Sequence, residues 1–324
     1  MSMVSVVMAT YNGEEYIVKQ LETIRKQSQI PDEVIICDDC STDNTVSIIR
    51  NYIKAHLLDG WHVYSNEDNL GFYDNFFKAI SIAKGDTIYL ADQDDLWDLK
   101  KIEIIQKVYQ ENPKYVMIES NYRYIDSADN EIPKKINYHG KGEREGIIPL
   151  TTQDMCKFAG SGFTMSFKRI IYDTALERGF VDMKELFYFH DVLLGMVATA
   201  LGECCMVTNI IDNHRLHMQN ATQRKNSVHF ADRTKQKQID LVLGRMEKFQ
   251  LIYDLCKNQE KKECFNLFYE FAKNRKQYIK KMSFKGFAYL FRQINMYSSK
   301  LGLVTDTMYS IGLEKVLLYL YRKM

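Results

Sequence analysis

The sequence predicts an α/β fold with a mostly parallel central sheet, followed by an α-helical C-terminal region. Three observations predict it. Short β-branched and aromatic runs alternate with amphipathic helices from the first residues onward. Polar residues collect where those runs end. The charge also divides: residues 231–324 hold 19 Lys and Arg against 9 Asp and Glu, and residues 1–230 hold 24 against 33. A front near −9 and a back near +10 should do different work. The expected boundaries are 1–230 for the α/β domain, in halves 1–120 and 121–230, and 231–324 for the basic helical region.

The first strand is Val4-Ser5-Val6-Val7-Met8-Ala9, and Thr10-Tyr11-Asn12-Gly13 is the turn that ends it. Ile17, Leu21 and Ile24 then share one helical face. Val34 to Cys37 forms the second strand and runs into Asp38-Asp39. Ser41 to Asn44 caps a helix bearing Val46, Ile49 and Ile53. Trp61 to Tyr64 reads as the third strand, and Asn69-Leu70-Gly71-Phe72 turns into a helix with Phe76, Ala79, Ile80 and Ala83. Thr87 to Ala91 is a buried-type strand that meets three carboxylates in four positions, Asp92, Asp94 and Asp95. A helix with Ile102, Ile105 and Val108 follows, then a strand at Tyr115 to Glu119. Residues 126–150, with Lys134, Lys135, His139, Gly140 and Gly142, read as a mobile loop.

Several function classes are set aside. The 324 residues contain only 4 Pro and no low-complexity tract, so long disorder is not expected. The N-terminus lacks a basic signal region, and no apolar run nears the roughly 20 residues that span a bilayer, so a cytoplasmic protein is expected. Seven irregularly spaced cysteines make no disulfide framework. Cys37 and Cys40 match C-x-x-C, but Cys37 ends a strand and no second pair follows, so neither redox nor zinc chemistry is expected. The glycine signatures of P-loop ATPases and dinucleotide enzymes are both absent. No nucleic-acid partner is expected.

Clustered carboxylates repel, and a hard cation is the natural remedy, usually shared with a phosphate-bearing ligand. The plain alternative is a solvated acidic turn before a helix. In parallel α/β sheets ligands bind at the carboxyl ends of the strands. Three strand ends here supply polar groups: Thr10, Tyr11 and Asn12; Asp38 and Asp39; and Asp92 to Asp95.

Four segments in order resemble the family 2 glycosyltransferases of the GT-A fold: Val4 to Asn12, Asp38 to Asp43, Asn69-Leu70-Gly71, and Asp92-Gln93-Asp94-Asp95. Cys40 stands where that family usually has a small residue. The resemblance implies that Thr10, Tyr11, Asn12, Asp38, Asp39, Asn69, Gly71, Asp92, Gln93 and Asp94 bind a nucleotide-sugar. Asp39 would accept from a pyrimidine ring N–H, although Asp38 also reads as a loop-bracing acid. Asp94, with Asp95 beside it, would hold Mg²⁺ or Mn²⁺ on the diphosphate. Residues 1–120 would form the nucleotide-sugar half and 121–230 the acceptor half.

The resemblance extends through the middle of the chain. Gly162, in Phe158 to Phe167, would line the donor sugar. Asp191, in Tyr188-Phe189-His190-Asp191, would take the acceptor proton, with helix capping as the alternative role. His190 would orient Asp191 or contact the acceptor. Arg215 and His217, in the Arg-x-His segment between Asp212 and Asn220, would hold diphosphate, metal or sugar, and the plain alternative is a surface turn. These pieces imply dTDP-L-rhamnose as donor, with a UDP-hexose or UDP-N-acetylhexosamine as the alternative. The acceptor would be a saccharide or lipid-linked saccharide in surface polysaccharide synthesis. Two other readings are a nucleotidyltransferase and a non-catalytic sugar-binding protein. The first needs a glycine-rich basic loop after the first strand, and the second is expected to lack the metal acids or the base.

From about Thr234 the chain reads as helical, with Ile239, Leu243, Met246, Leu251, Leu255, Phe265, Phe268 and Phe271 as core against the catalytic domain. Lys280 to Phe287 and Val316 to Lys323 interleave cations with apolar residues. Such helices suit peripheral attachment to an anionic membrane surface, a dimer contact, or plain solvation.

Overall fold

The computed structural model describes residues 2–133, 146–157, 161–217, 234–299 and 301–317. The expectations for Lys134 to Gly142, Phe158 to Gly160, Met218 to Asn220 and Leu318 to Lys323 lie outside the described residues. The chain divides into two compact units, residues 1–151 with 159–216, and residues 152–158 with 217–324.

The first unit is built on a ten-stranded mixed sheet. Strands β1 (Val4–Thr10), β2 (Glu33–Asp38), β3 (Trp61–Ser65) and β4 (Thr87–Asp92) pair in parallel in the order β3-β2-β1-β4. Between them run α1 (Ile17–Arg25), α2 (Thr45–Ala55) and α3 (Phe72–Ile82). Val4, Val6, Val7 and Met8 are all buried, as expected for an inner strand covered on both faces. Ile17, Leu21, Ile24 and Ile49 pack on that sheet. The register carries Thr10 opposite Asp38 and Ala9 opposite Asp92, so the three polar strand ends lie side by side.

Beyond β4 the sheet stops being parallel. Strand β9 (Met165–Lys168) inserts antiparallel between β4 and β6 (Tyr115–Ile125). Strand β10 (Glu203–Arg215) pairs parallel with β6 and antiparallel with β5 (Leu96–Trp97) and β8 (Ile147–Leu150), and β7 (Glu131–Ile132) pairs with β6. Three expectations are corrected here. The strand from Tyr115 continues to Ile125 instead of ending at Glu119. Ile147 to Leu150 is a strand rather than loop, with Ile148 and Leu150 turned inward, and Pro149 is tolerated because only one face of the backbone pairs. Asp212 to Arg215 lies inside β10, not in a surface turn. Helices α4 (Lys101–Glu111), α6 (Ile170–Glu177), α7 (Lys184–Phe187) and α8 (His190–Leu201) complete the unit.

The second unit comprises α5 (Thr152–Lys157), α9 (Lys235–Leu255), α10 (Gln259–Lys280), α11 (Phe284–Arg292) and α12 (Leu301–Ser310). Thr234, Asn258 and Ser283 cap three of these helices, each accepting from a backbone N–H three residues on. Ile239, Val242, Met246, Ala272, Ile279 and Tyr309 form one cluster, and Phe271, Tyr278, Leu290, Tyr297 and Leu303 another. Leu243, expected inside, is 39% exposed, and Val242 takes the inward position. A buried Arg275 donates to both oxygens of Asp306 at 2.7 and 2.9 Å, which ties α10 to α12. Among the described residues no helix is long and apolar enough to cross a membrane.

Candidate active site

The loops after β1 and β2 are held by each other. Thr10 and Ser41 hydroxyls both donate to Asp38 Oδ1, at 2.9 and 2.5 Å, and Ser41 N donates to Oδ2 at 2.9 Å. Asn12 N donates to Ser41 Oγ at 2.8 Å, and Asn12 Oδ1 accepts from Thr42 N at 2.8 Å. Asp39 Oδ1 accepts from Asn66 Nδ2 and Leu70 N, and Oδ2 from Gly71 N at 2.8 Å. Asn69 Nδ2 donates to the Asp39 carbonyl at 2.9 Å. Each of the two acids therefore takes three donors of about four that a carboxylate accepts. Asp38, Asn12 and Asn69 brace the loops, and Asp39 retains one acceptor direction. Gly71 sits at φ +82°, ψ 159°, a region closed to residues with a side chain. Cys40 has φ +63°, which explains why a small residue suits that position, and its thiol donates to the Asn66 carbonyl at 3.1 Å.

The acidic turn lies next to these loops. Gln93 is a latch: Tyr11 N donates to its Oε1, and its Nε2 donates to the Tyr11 carbonyl. The Tyr11 ring remains 46% exposed and is free to meet a planar ligand. Carboxylate oxygens of Asp92, Asp94 and Asp95 lie within 4.8 Å of one another. Burial, followed by the charges of Asp95 and Asp94, raises the Asp92 pKa well above the usual carboxylate range. A hard divalent cation would relieve both penalties, so this donor set fits Mg²⁺ or Mn²⁺. Asp95 is the most committed of the three: its Oδ1 accepts from Arg215 N and from His214 Nδ1, both at 2.9 Å.

Asp191 stands in the first turn of α8, where the helix dipole favours a negative charge. Its Oδ2 accepts from Gly162 N at 3.1 Å and its Oδ1 from Val192 N at 2.7 Å. Burial nevertheless lifts its pKa to about 6. It is close enough to Asp92 for the two charges to interact. The preceding Tyr188 is held at φ +63°, a strained conformation for an aromatic residue. His190 stacks on Phe76 at 4.1 Å, and its pKa falls to about 3 through burial, so the ring is neutral. Among the described residues neither ring nitrogen has a hydrogen-bond partner. A Cβ at Gly162 would come within 2.8 Å of its Nε2, so glycine lets the imidazole and Asp191 approach the same turn.

One sequence expectation changes. Arg215 is fully buried, with Nε on the Asp94 carbonyl at 2.7 Å, Nη1 on the Asp126 carbonyl at 2.8 Å, and a salt bridge to Asp129. It braces the acidic turn from behind and is neither a surface cation nor placed to hold a diphosphate. His217 belongs to the second unit.

Other residues were missed. His214 stacks on Phe163 at 4.4 Å, and although burial opposes its charge, the Asp95 carboxylate raises its pKa to about 9. Lys101, wholly buried, donates to Asp212 Oδ1 at 2.6 Å and to the Phe163 carbonyl at 3.0 Å, and Ser120 completes the set on Asp212. This triad pins α4, β6 and β10 behind the acids.

The family model for glycosyl transferase family 2 matches residues 5–180, more than half of the chain, and the chain belongs to that family. Its fold is the GT-A fold. Residues 1–349 of Staphylococcus aureus TarS, solved in complex with UDP, superpose with a TM-score of 0.63 at 17% identity, covering 99% of this chain and 91% of that one. The mannosyltransferase PcManGT from Pyrobaculum calidifontis, in complex with GDP-Man and Mn²⁺, gives 0.56 at 16% identity, covering 100% and 88%. Among curated relatives, the putative teichuronic acid biosynthesis glycosyltransferase TuaG of Bacillus subtilis is 37% identical over 101 residues, 31% of this chain and 39% of that protein. The UDP-Glc:alpha-D-GlcNAc-diphosphoundecaprenol beta-1,3-glucosyltransferase WfaP of Escherichia coli is 32% identical over 142 residues, 43% and 55%. The chain thus spans about half or less of the length of these two relatives.

Proposed function

We propose that the protein is an inverting, metal-dependent glycosyltransferase that moves a sugar from a nucleotide-diphosphate sugar to a saccharide acceptor, free or lipid-linked, in surface-glycan assembly at the cytoplasmic face. One observation carries the reading: a carboxylate with a pKa near 6, Asp191, lies within electrostatic reach of the acid cluster at the strand ends. Asp191 takes the proton from the acceptor hydroxyl as its oxygen attacks the anomeric carbon. The bond from that carbon to the diphosphate breaks, and the nucleoside diphosphate leaves with both electrons. Asp92 and Asp94 would hold the cation, with Asp95 behind them, and a bound cation would neutralise charge on the leaving diphosphate. Tyr11 would stack on the base, and Asp39 would offer its remaining acceptor direction to a ring N–H.

The donor is the finer question. The Arg-x-His segment suggested dTDP-L-rhamnose, but the buried Arg215 reads no sugar. TarS residues 1–349 were also solved in complex with UDP-GlcNAc and WfaP is named for UDP-Glc, and the same chemistry with a UDP-hexose or UDP-N-acetylhexosamine carries equal weight here. A screen of dTDP-rhamnose, UDP-sugars and GDP-mannose with Mg²⁺ or Mn²⁺ tests the proposal, read by donor hydrolysis and by thermal shift. A response to one donor that vanishes in Asp94→Ala supports it. Binding without hydrolysis, unchanged in Asp191→Asn, would favour the sugar-binding alternative.

A further inference from the structure

Residues 271–305 carry eight Lys and Arg and no Asp or Glu. Two of these cations are internally committed, Arg275 to the buried Asp306 and Lys273 to Glu270. Lys280, Lys281, Lys285 and Arg292 are exposed, and none is ion-paired among the described residues. They surround α11. That helix turns Leu290 into the core of Phe271, Tyr278, Tyr297 and Leu303, with Gly286 and Phe287 against Tyr278. One flank of the helix carries Phe284 and Phe291, seven residues and so two turns apart, at 86% and 59% exposure, with Phe291 stacked on Phe287 at 6.1 Å. Met282, at 49%, precedes them.

An exposed aromatic pair ringed by uncompensated cations is costly in water and matches one surface well. Anionic headgroups meet the cations, and the acyl boundary takes the rings. A second copy docked through the same patch would set four cations against four, which opposes an isologous dimer. We infer that α11 with Lys280 to Met282 is a docking face for an anionic lipid bilayer, with Phe284 and Phe291 as the inserted side chains.

Flotation of the full chain with vesicles tests this, and it needs neither donor nor turnover, so it stands apart from the transferase reading. The chain is expected to float with phosphatidylglycerol-containing vesicles, to ignore pure phosphatidylcholine, and to dissociate as salt rises. Lys281→Glu with Lys285→Glu should lower partition by about fivefold or more for each cation lost. Phe284→Ser with Phe291→Ser should lower it by about tenfold or more. Both pairs are on the surface and should keep the wild-type thermal transition. Absence of binding at low salt overturns the inference, as does binding that both double variants retain. A concentration-dependent dimer abolished by the Phe pair would assign the face to a second copy instead.

Discussion

Gln93 clasps the backbone of Tyr11 with both ends of its amide, accepting at 2.9 Å and donating at 3.0 Å. The acidic turn and the first loop are thereby one piece, and a Cβ at Gly13 would reach to 2.4 Å from Gln93 Oε1. Gln93→Leu keeps the size and loses both bonds. It should destabilise the chain by about 1–2 kcal/mol. It should also weaken nucleotide-sugar binding more than turnover, because it loosens Tyr11 and leaves the acids in place. Urea denaturation with a donor titration checks both, and an unchanged KM would remove the latch from the binding argument.

Two neighbouring residues take left-handed backbone with opposite consequences. Gly71 at φ +82° has open space around its missing Cβ, so Gly71→Ala suffers only in the backbone, by about 1–3 kcal/mol. That strain also misaligns the N–H that reaches Asp39. Cys40→Gly relieves a similar strain and loses only a weak thiol hydrogen bond, so it should leave stability level or raise it by up to about 1 kcal/mol. Melting the two variants side by side should move them in opposite directions, or move Gly71→Ala alone.

The parallel half of the sheet was legible because period and position agree there. Val4 to Thr10 and Thr87 to Asp92 are continuous apolar runs that end in polar residues, and the register joins those ends. The rest depends on distant partners. Lys101 reads as one more cation beside Lys100, and only Asp212, 111 positions on, shows that it is buried. His214 has no neighbour in sequence that marks it, and its role appears once β5 and β10 bring it to Asp95. Arg215 reads on sequence as a ligand-motif cation or as part of a surface turn, and only its burial shows it to be a brace.

The Lys101–Asp212 pair yields a prediction about coupling. Removing one partner of a buried ion pair strands the other charge, whereas an apolar pair of like volume can be neutral. Lys101→Met alone should cost about 3–5 kcal/mol, and Lys101→Met with Asp212→Leu should recover part of that loss. Recovery will be incomplete, since Ser120 and the Phe163 carbonyl lose their partners. A double-mutant cycle by denaturation measures the coupling, and additive losses would show that the pair does not act as a unit.

Asp191 connects stability and rate through one pKa. Its folded value of about 6 lies above the ordinary carboxylate value of 3.8, so the folded chain holds this proton more tightly than the unfolded chain. The stability it contributes is therefore fully present below 3.8 and is lost as pH rises through 6. Asp191→Asn cannot titrate, so its stability relative to wild type should climb across that window and level off above it. The gain at pH 8 should reach about 1–3 kcal/mol. Turnover should respond in the other sense. The wild-type rate should fall about tenfold per pH unit below about 6, and Asp191→Asn should lose about 10²–10⁴ of kcat at every pH. Paired melts and rates from pH 5 to 8 (a range set by that value of about 6) test both halves. A stabilised variant that keeps its rate would leave Asp191 a partly buried acid of the helix start and would move the base elsewhere.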